Sequence, residues 1–145
     1  MTRVPEHPGP SSAEVSSRMS RLRRRDTKPE IEVRRLLHAR GLRYRVAYRI
    51  PGLRRRTIDV AFTRQRVAVF IDGCFWHGCA AHGTQPAANA DWWRTKLGVN
   101  QERDRDTTDR LQAAGWTVLR FWEHEAPETV ADAVQATVRR AVPPR

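Results

Sequence analysis

Residues 71 to 83 read Ile-Asp-Gly-Cys-Phe-Trp-His-Gly-Cys-Ala-Ala-His-Gly, and they gather both cysteines of the chain, two of its five histidines, an aspartate and an aromatic pair. Cys74, Cys79 and His82 fall within nine residues of one another. Thiolate and imidazole are the ligands of tetrahedral zinc, which takes some of its four from a tight local loop and the rest from elsewhere. Gly73, Gly78 and Gly83 let the backbone turn so that the three side chains converge. His124, between Glu123 and Glu125, is the candidate fourth ligand. A closed set of four leaves no position for water, which makes such a zinc structural. The plainer alternative is that the cysteines are small buried hydrophobes and the histidines lie on the surface.

A second chemistry is written beside the first. Cleaving a phosphodiester requires a cation against the phosphate oxygens and a group that activates or orients water. Magnesium prefers carboxylate, carbonyl and water oxygens. Asp59 interrupts the strand-like run Thr57-Ile58-Asp59-Val60, where a charge is costly unless it is paired or binds a cation; the alternative is a carboxylate on the wet face of a half-buried strand. His77 is placed to act as a general base near neutral pH, and could equally be a zinc ligand or a surface histidine. Phe75 and Trp76, on a glycine-flanked turn, fit either a wedge between bases or a cover over the metal knuckle.

These residues need a scaffold. Thr27-Lys28-Pro29-Glu30 reads as a capping box that opens a helix to about Arg40, with Val33, Leu36 and Leu37 as its apolar stripe and Gly41 as its stop. Thr57 to Phe62 and Val67 to Asp72 form a predicted antiparallel hairpin around the polar turn 63–66, whose second strand delivers its end to the quoted loop. Asp91 to Ala114 is helical, opening on Trp92-Trp93 and closed by Gly115; Thr117 to Trp122 is a third strand. Pro127 to Arg140 is a last helix with Val130, Val134 and Val138 on one face. This order defines an α/β domain with a mixed sheet.

At 145 residues the chain accommodates one domain. Met1 to Ser17, rich in Pro, Ser and Gly, reads as a disordered arm; residues 18–141 as the domain; residues 142–145 as a tail. The net charge of +11 comes from arginine far more than lysine, and the guanidinium suits planar recognition of phosphate. The arm runs into Arg18, Arg21, Arg23, Arg24 and Arg25, a cluster suited to a phosphate backbone. A nucleic-acid partner is expected. No apolar stretch approaches the roughly 20 residues of a membrane span and no signal segment opens the chain, so a cytoplasmic monomer is expected.

From about Met19 to Glu125 the chain resembles the very-short-patch repair (Vsr) endonucleases. The motifs that carry the resemblance are Met19-Ser20, Thr27-Lys28-Pro29-Glu30, Gly41-Leu42-Arg43-Tyr44, Ile58-Asp59-Val60 and Gly73-Cys74-Phe75-Trp76-His77. They continue with Trp93, Lys96 and Asn100, Arg103-Asp104, Gly115-Trp116 and Trp122-Glu123. The resemblance implies a restriction-endonuclease-like fold with a structural zinc. It also implies a magnesium-dependent nick in one DNA strand, 5′ to the thymine of a T:G mismatch left by deamination of 5-methylcytosine. It makes Asp59 the principal magnesium ligand, joined by the backbone carbonyl of Ile71, and His77 the general base. Glu30 and Asp104 become outer carboxylates around the magnesium. Phe75, Trp76 and Trp93 become the aromatics that open the duplex from the major groove, and Met19 the residue that enters from the minor groove. Lys96 and Asn100 join them at the DNA.

The chain departs from the best-known family pattern at several of these places. Asp72 stands where that pattern has a histidine and Ile71 where it has a threonine, so an extra carboxylate faces the metal region. Cys79 replaces a histidine, while His82, in a loop one residue longer, and His124 each replace a cysteine. Two cysteines and two histidines still compose a zinc site. Mismatch-repair proteins or a cytosine methyltransferase system are the implied partners. The alternatives are a nicking enzyme of a restriction–modification system or of another mismatch pathway, and a noncatalytic zinc-stapled DNA-binding module.

Overall fold

The computed structural model describes residues 27–53, 55–73 and 90–141, apart from the side chains of Ala90 and Trp93. Its elements in chain order are α1 (Lys28–Ala39), β1 (Arg45–Arg49), β2 (Thr57–Phe62), β3 (Val67–Asp72), α2 (Ala90–Ala113), β4 (Thr117–Trp122) and α3 (Pro127–Arg140). The strands form one sheet in the order β1-β2-β3-β4. β1 and β2 are antiparallel, as are β2 and β3, whereas β3 and β4 run parallel from Val67↔Thr117 to Asp72↔Trp122. The expected hairpin, mixed sheet and three helices are therefore present.

Side-chain alternation sorts the sheet into two cores. On one face Val60, Phe62, Val67, Val69 and Ile71 pack with Val33 and Leu37 of α1 and with Val130, Val134 and Val138 of α3. On the other, Ile58, Ala61, Ala68 and Phe70 pack with Ile50 and with Leu111 of α2. The sheet thus lies between α1 and α3 on one side and α2 on the other.

Both helix stops read from the sequence hold. Gly41 and Gly115 adopt φ of +80° and +91°, a region glycine enters without a Cβ clash. Gly41 N–H donates to the His38 carbonyl and Gly115 N–H to that of Gln112. The start of α1 differs from the expected capping box: Thr27 makes no side-chain cap hydrogen bond. Glu30 is only 2% exposed and lies on the same helical face as Val33 and Leu37, so its side chain is buried.

Strand β1 has no counterpart in the sequence reading. It is an edge strand, Arg-Val-Ala-Tyr-Arg, with three of its five residues exposed, and neither alternation nor a β-branched run marks it. Ala47, at its centre, has φ +49°, a left-handed conformation that costs a non-glycine residue roughly 1–2 kcal/mol.

Candidate active site

Ala47 stands opposite Asp59, between the pairs Val46↔Val60 and Tyr48↔Ile58. Strict alternation would put Ile58 on the same face as Val60 and Phe62. Instead Ile58 belongs to the α2-side core while Val60 and Phe62 belong to the other. The ribbon rolls over at Asp59, and the left-handed residue across from it absorbs the twist.

The β2–β3 ladder runs from Phe62↔Val67 to Val60↔Val69. Beyond it a side chain takes over, because the Asp59 Oδ2 accepts the Ile71 N–H at 2.9 Å. Within a strand the N–H and C=O of one residue face the same edge, and the next residue's face the other. Asp72 confirms this alternation, since its carbonyl accepts the Glu123 N–H on the β4 side at 2.9 Å. The Ile71 carbonyl therefore faces the β2 side, the side that carries the Asp59 carboxylate.

Asp59 and Ile71 open into a cleft of about 210 Å³ lined also by Asp72 and Asp104 and by four arginines, Arg55, Arg56, Arg103 and Arg120. Arg120 is its organiser. One guanidinium nitrogen donates to both Asp72 carboxylate oxygens at 3.1 Å. The same group reaches the Thr108 hydroxyl at 2.9 Å and the Asp104 carbonyl at 3.1 Å, and its carbon lies 4.1 Å from the centre of the Phe70 ring. Strand β3 is in this way tied through β4 to helix α2. Arg56 donates to Asp106 and, at 3.3 Å, to Thr107. The hydrogen bond from Arg56 to Asp106, together with that from Arg110, holds the Asp106 carboxyl below its ordinary range.

Lys96, Asn100 and Asp104 recur every four residues along α2, which sets them on one face. Lys96 and Asn100 are half-buried, and the stripe descends past the cleft at Asp104 to Leu111 in the core. Glu30 is buried on the α1 face that bears Val33 and Leu37 and is not among the residues lining the cleft. His124 is exposed in the turn after β4. Met19, Cys74, Phe75, Trp76, His77, Cys79 and His82, and the side chain of Trp93, lie outside the described residues. Among the described residues, no three His, Cys, Asp or Glu side chains gather as a metal-holding group.

Sequence reasoning missed Arg120 and Arg56. Arg120 carries the signal that flagged Asp59, a charge set inside an apolar strand run, Val118-Leu119-Arg120-Phe121-Trp122. Arg56 had only its position next to β2.

A carboxylate at the parting of two strands, beside a cleft crowded with arginines, is the arrangement of an enzyme that acts on phosphodiesters. Comparison with known proteins makes this specific. The family model described as DNA mismatch endonuclease Vsr matches residues 11–82. The chain is 46% identical over 135 residues to the Type II nicking enzyme V.NaeI of Lentzea aerocolonigenes, covering 91% of this chain and 79% of that one. It is 35% identical over 128 residues to the Type II nicking enzyme V.XorIIP of Xanthomonas oryzae pv. oryzae, covering 87% and 90%. It is 37% identical over 110 residues to the DNA mismatch endonuclease Vsr of Escherichia coli, covering 74% and 68%. The chain belongs to the Vsr family and is a DNA endonuclease. Among its described residues, no helix is long and apolar enough to cross a membrane.

Proposed function

We propose that this enzyme makes a magnesium-dependent nick in one strand of duplex DNA, 5′ to the thymine of a T:G mismatch. The observation that carries this reading is the Asp59 carboxylate, aimed at the β2–β3 parting where the Ile71 carbonyl faces it. Both are hard oxygen donors. Magnesium is commonly held by one or two carboxylates and keeps several waters, so two protein oxygens fit it without a third ligand. A magnesium ion held there would supply positive charge to the phosphate oxygens as negative charge builds on them.

The chain's own residues do the rest. Arg55, Arg56 and Arg103 draw the phosphate into the cleft. Arg120 holds Asp72 and Asp104 in place around it. His77 takes the proton from the attacking water as its oxygen bonds to phosphorus; the bond to the 3′ oxygen breaks and that oxygen takes a proton from solvent, leaving a 5′-phosphate and a 3′-hydroxyl. Phe75, Trp76 and Trp93 wedge the duplex open from the major groove and Met19 from the minor. Unstacking costs a few kcal/mol per step, least at a weak pair, so the wedge itself selects a mismatch. Cys74, Cys79, His82 and His124 hold a structural zinc, and mismatch-repair proteins or a cytosine methyltransferase system are the partners in the cell. The likeness to the Type II nicking enzymes V.NaeI and V.XorIIP supports cutting of one strand in particular.

The test is a strand-specific nicking assay on labelled T:G and matched C:G duplexes with varied flanks, with magnesium or with chelator, for the wild type and Asp59→Ala. A nick beside the thymine of the mismatched duplex alone, requiring magnesium and Asp59, is expected. Equal nicking of matched DNA would overturn the mismatch reading, and full activity in Asp59→Ala would overturn the site.

A further inference from the structure

Among the described residues a second hollow, of about 410 Å³, lies apart from the cleft at Asp59. It sits at the other end of the β1–β2 pair, where Arg45 faces Ala61, whereas the cleft lies at the end where Arg49 faces Thr57. Arg43, Arg45 and Arg64 line it, with Tyr44, Thr63 and Gln65, and among the described residues none that lines it is acidic. All three arginines are exposed. The chain around it is equally one-sided: between Glu32 and Asp59 there are nine arginines and no aspartate or glutamate.

A concave surface with three guanidinium groups, two neutral hydrogen-bonding side chains and no carboxylate fits an anion of spread charge. Arg49 and Arg55, at the cleft end of the pair, are exposed as well. From Asp59 to Phe62 the strand rises about 10 Å before Thr63 and Arg64 enter the turn, and one DNA strand places a phosphate every 3.4 Å or so along the helix axis. We infer that the hollow at Arg43, Arg45 and Arg64 is a second phosphate-binding site for the same duplex, gripping the backbone at least about three phosphates from the nick. This rests on the reading of the cleft as the nicking site. The site reads no bases; it fixes where along the duplex the cleft comes to rest.

The experiment measures binding of a fluorescent T:G duplex by anisotropy, in chelator, between 50 and 200 mM salt. It compares the wild type with Arg43→Ala/Arg64→Ala and with Arg43→Lys/Arg64→Lys, each checked for an unchanged melting temperature. Each lost phosphate contact lowers the slope of log K against log salt by about 0.9. The alanine pair is expected to lower it by nearly two, so that over this salt range the wild type loses about tenfold more affinity than the variant, and the lysine pair to restore most of the slope. Methylphosphonate scanning then asks where neutralising one phosphate weakens the wild type but not the alanine pair; a position at least about three from the nick is expected. An unchanged slope, or weakening that is uniform along the strand, overturns the inference. Because binding is read without cleavage, failure of the nicking assay leaves this result interpretable on its own.

Discussion

Replacing Arg120 with methionine tests whether the cleft is held together as the geometry says. Methionine keeps much of the stem that lies over Phe70 and removes the guanidinium. The Asp72 side chain is 11% exposed and that of Arg120 23%, so the pair is largely out of water, and its loss takes away the two 3.1 Å contacts to Asp72. Hydrogen bonds that involve a charged group contribute about 1.5–3 kcal/mol. Removing one partner of a fully buried pair costs about 3–5 kcal/mol, and the residual exposure of Arg120 scales that down. A loss of about 2–4 kcal/mol is expected. For a domain of this size each kcal/mol moves the melting temperature by about 2–4 °C. Urea unfolding of Arg120→Met, Asp72→Asn and the double variant is the assay, with a coupling energy of at least about 1 kcal/mol expected for residues in direct contact. A loss under about 0.5 kcal/mol, or strictly additive effects, would refute the claim that Arg120 ties β3 to α2.

Ala47→Gly is expected to leave stability unchanged or raise it by up to about 1 kcal/mol, and Ala47→Val to cost more than about 2, because a β-branched residue is a severe misfit at φ +49°; equal denaturation midpoints would sink the strain argument. The Asp106 carboxyl is held down by hydrogen bonds from Arg56 and Arg110. Its contribution is therefore complete above its ordinary value of 3.8 and lost as pH falls through the lower folded-state value. Arg56→Gln should move the Asp106 titration upward in an NMR pH series, and an unmoved midpoint would dismiss Arg56 as its cause. Metal analysis of the purified protein is expected to find about one zinc per chain, reduced in Cys74→Ser; a zinc-free active enzyme would remove the staple.

Much of the scaffold was legible because its signals are local. β2 and β3 are β-branched runs around a polar turn, and α3 repeats valine every four residues. Glycines sit where α1 and α2 stop. β1 was not legible, since an edge strand with two terminal arginines draws its order from pairing with β2 rather than from its own pattern. Glu30 misled for a related reason: the four-residue signature of a capping box is local, whereas the burial of Glu30 is decided by how α1 meets the sheet. Asp59 stood out as a charge in a strand, but its bond to the Ile71 amide depends on the register of β2 against β3, which no spacing reveals. Asp72 was visible only as a departure from a pattern. That Arg120 answers it across the parallel pair is a fact of topology, since 48 residues separate them.

The bond from the Ile71 amide to Asp59 also makes the resting enzyme readable without substrate. Most amides in a sheet are shielded from exchange with deuterium by a neighbouring strand, but this one is shielded by a carboxylate. Its exchange rate therefore reports the posture of the Asp59 side chain, residue by residue and before any DNA is added. A ligand that draws the carboxylate away from the amide would quicken that exchange, and one that leaves the posture alone would not. The parting of β2 from β3 is in this sense a built-in gauge of the state of the site.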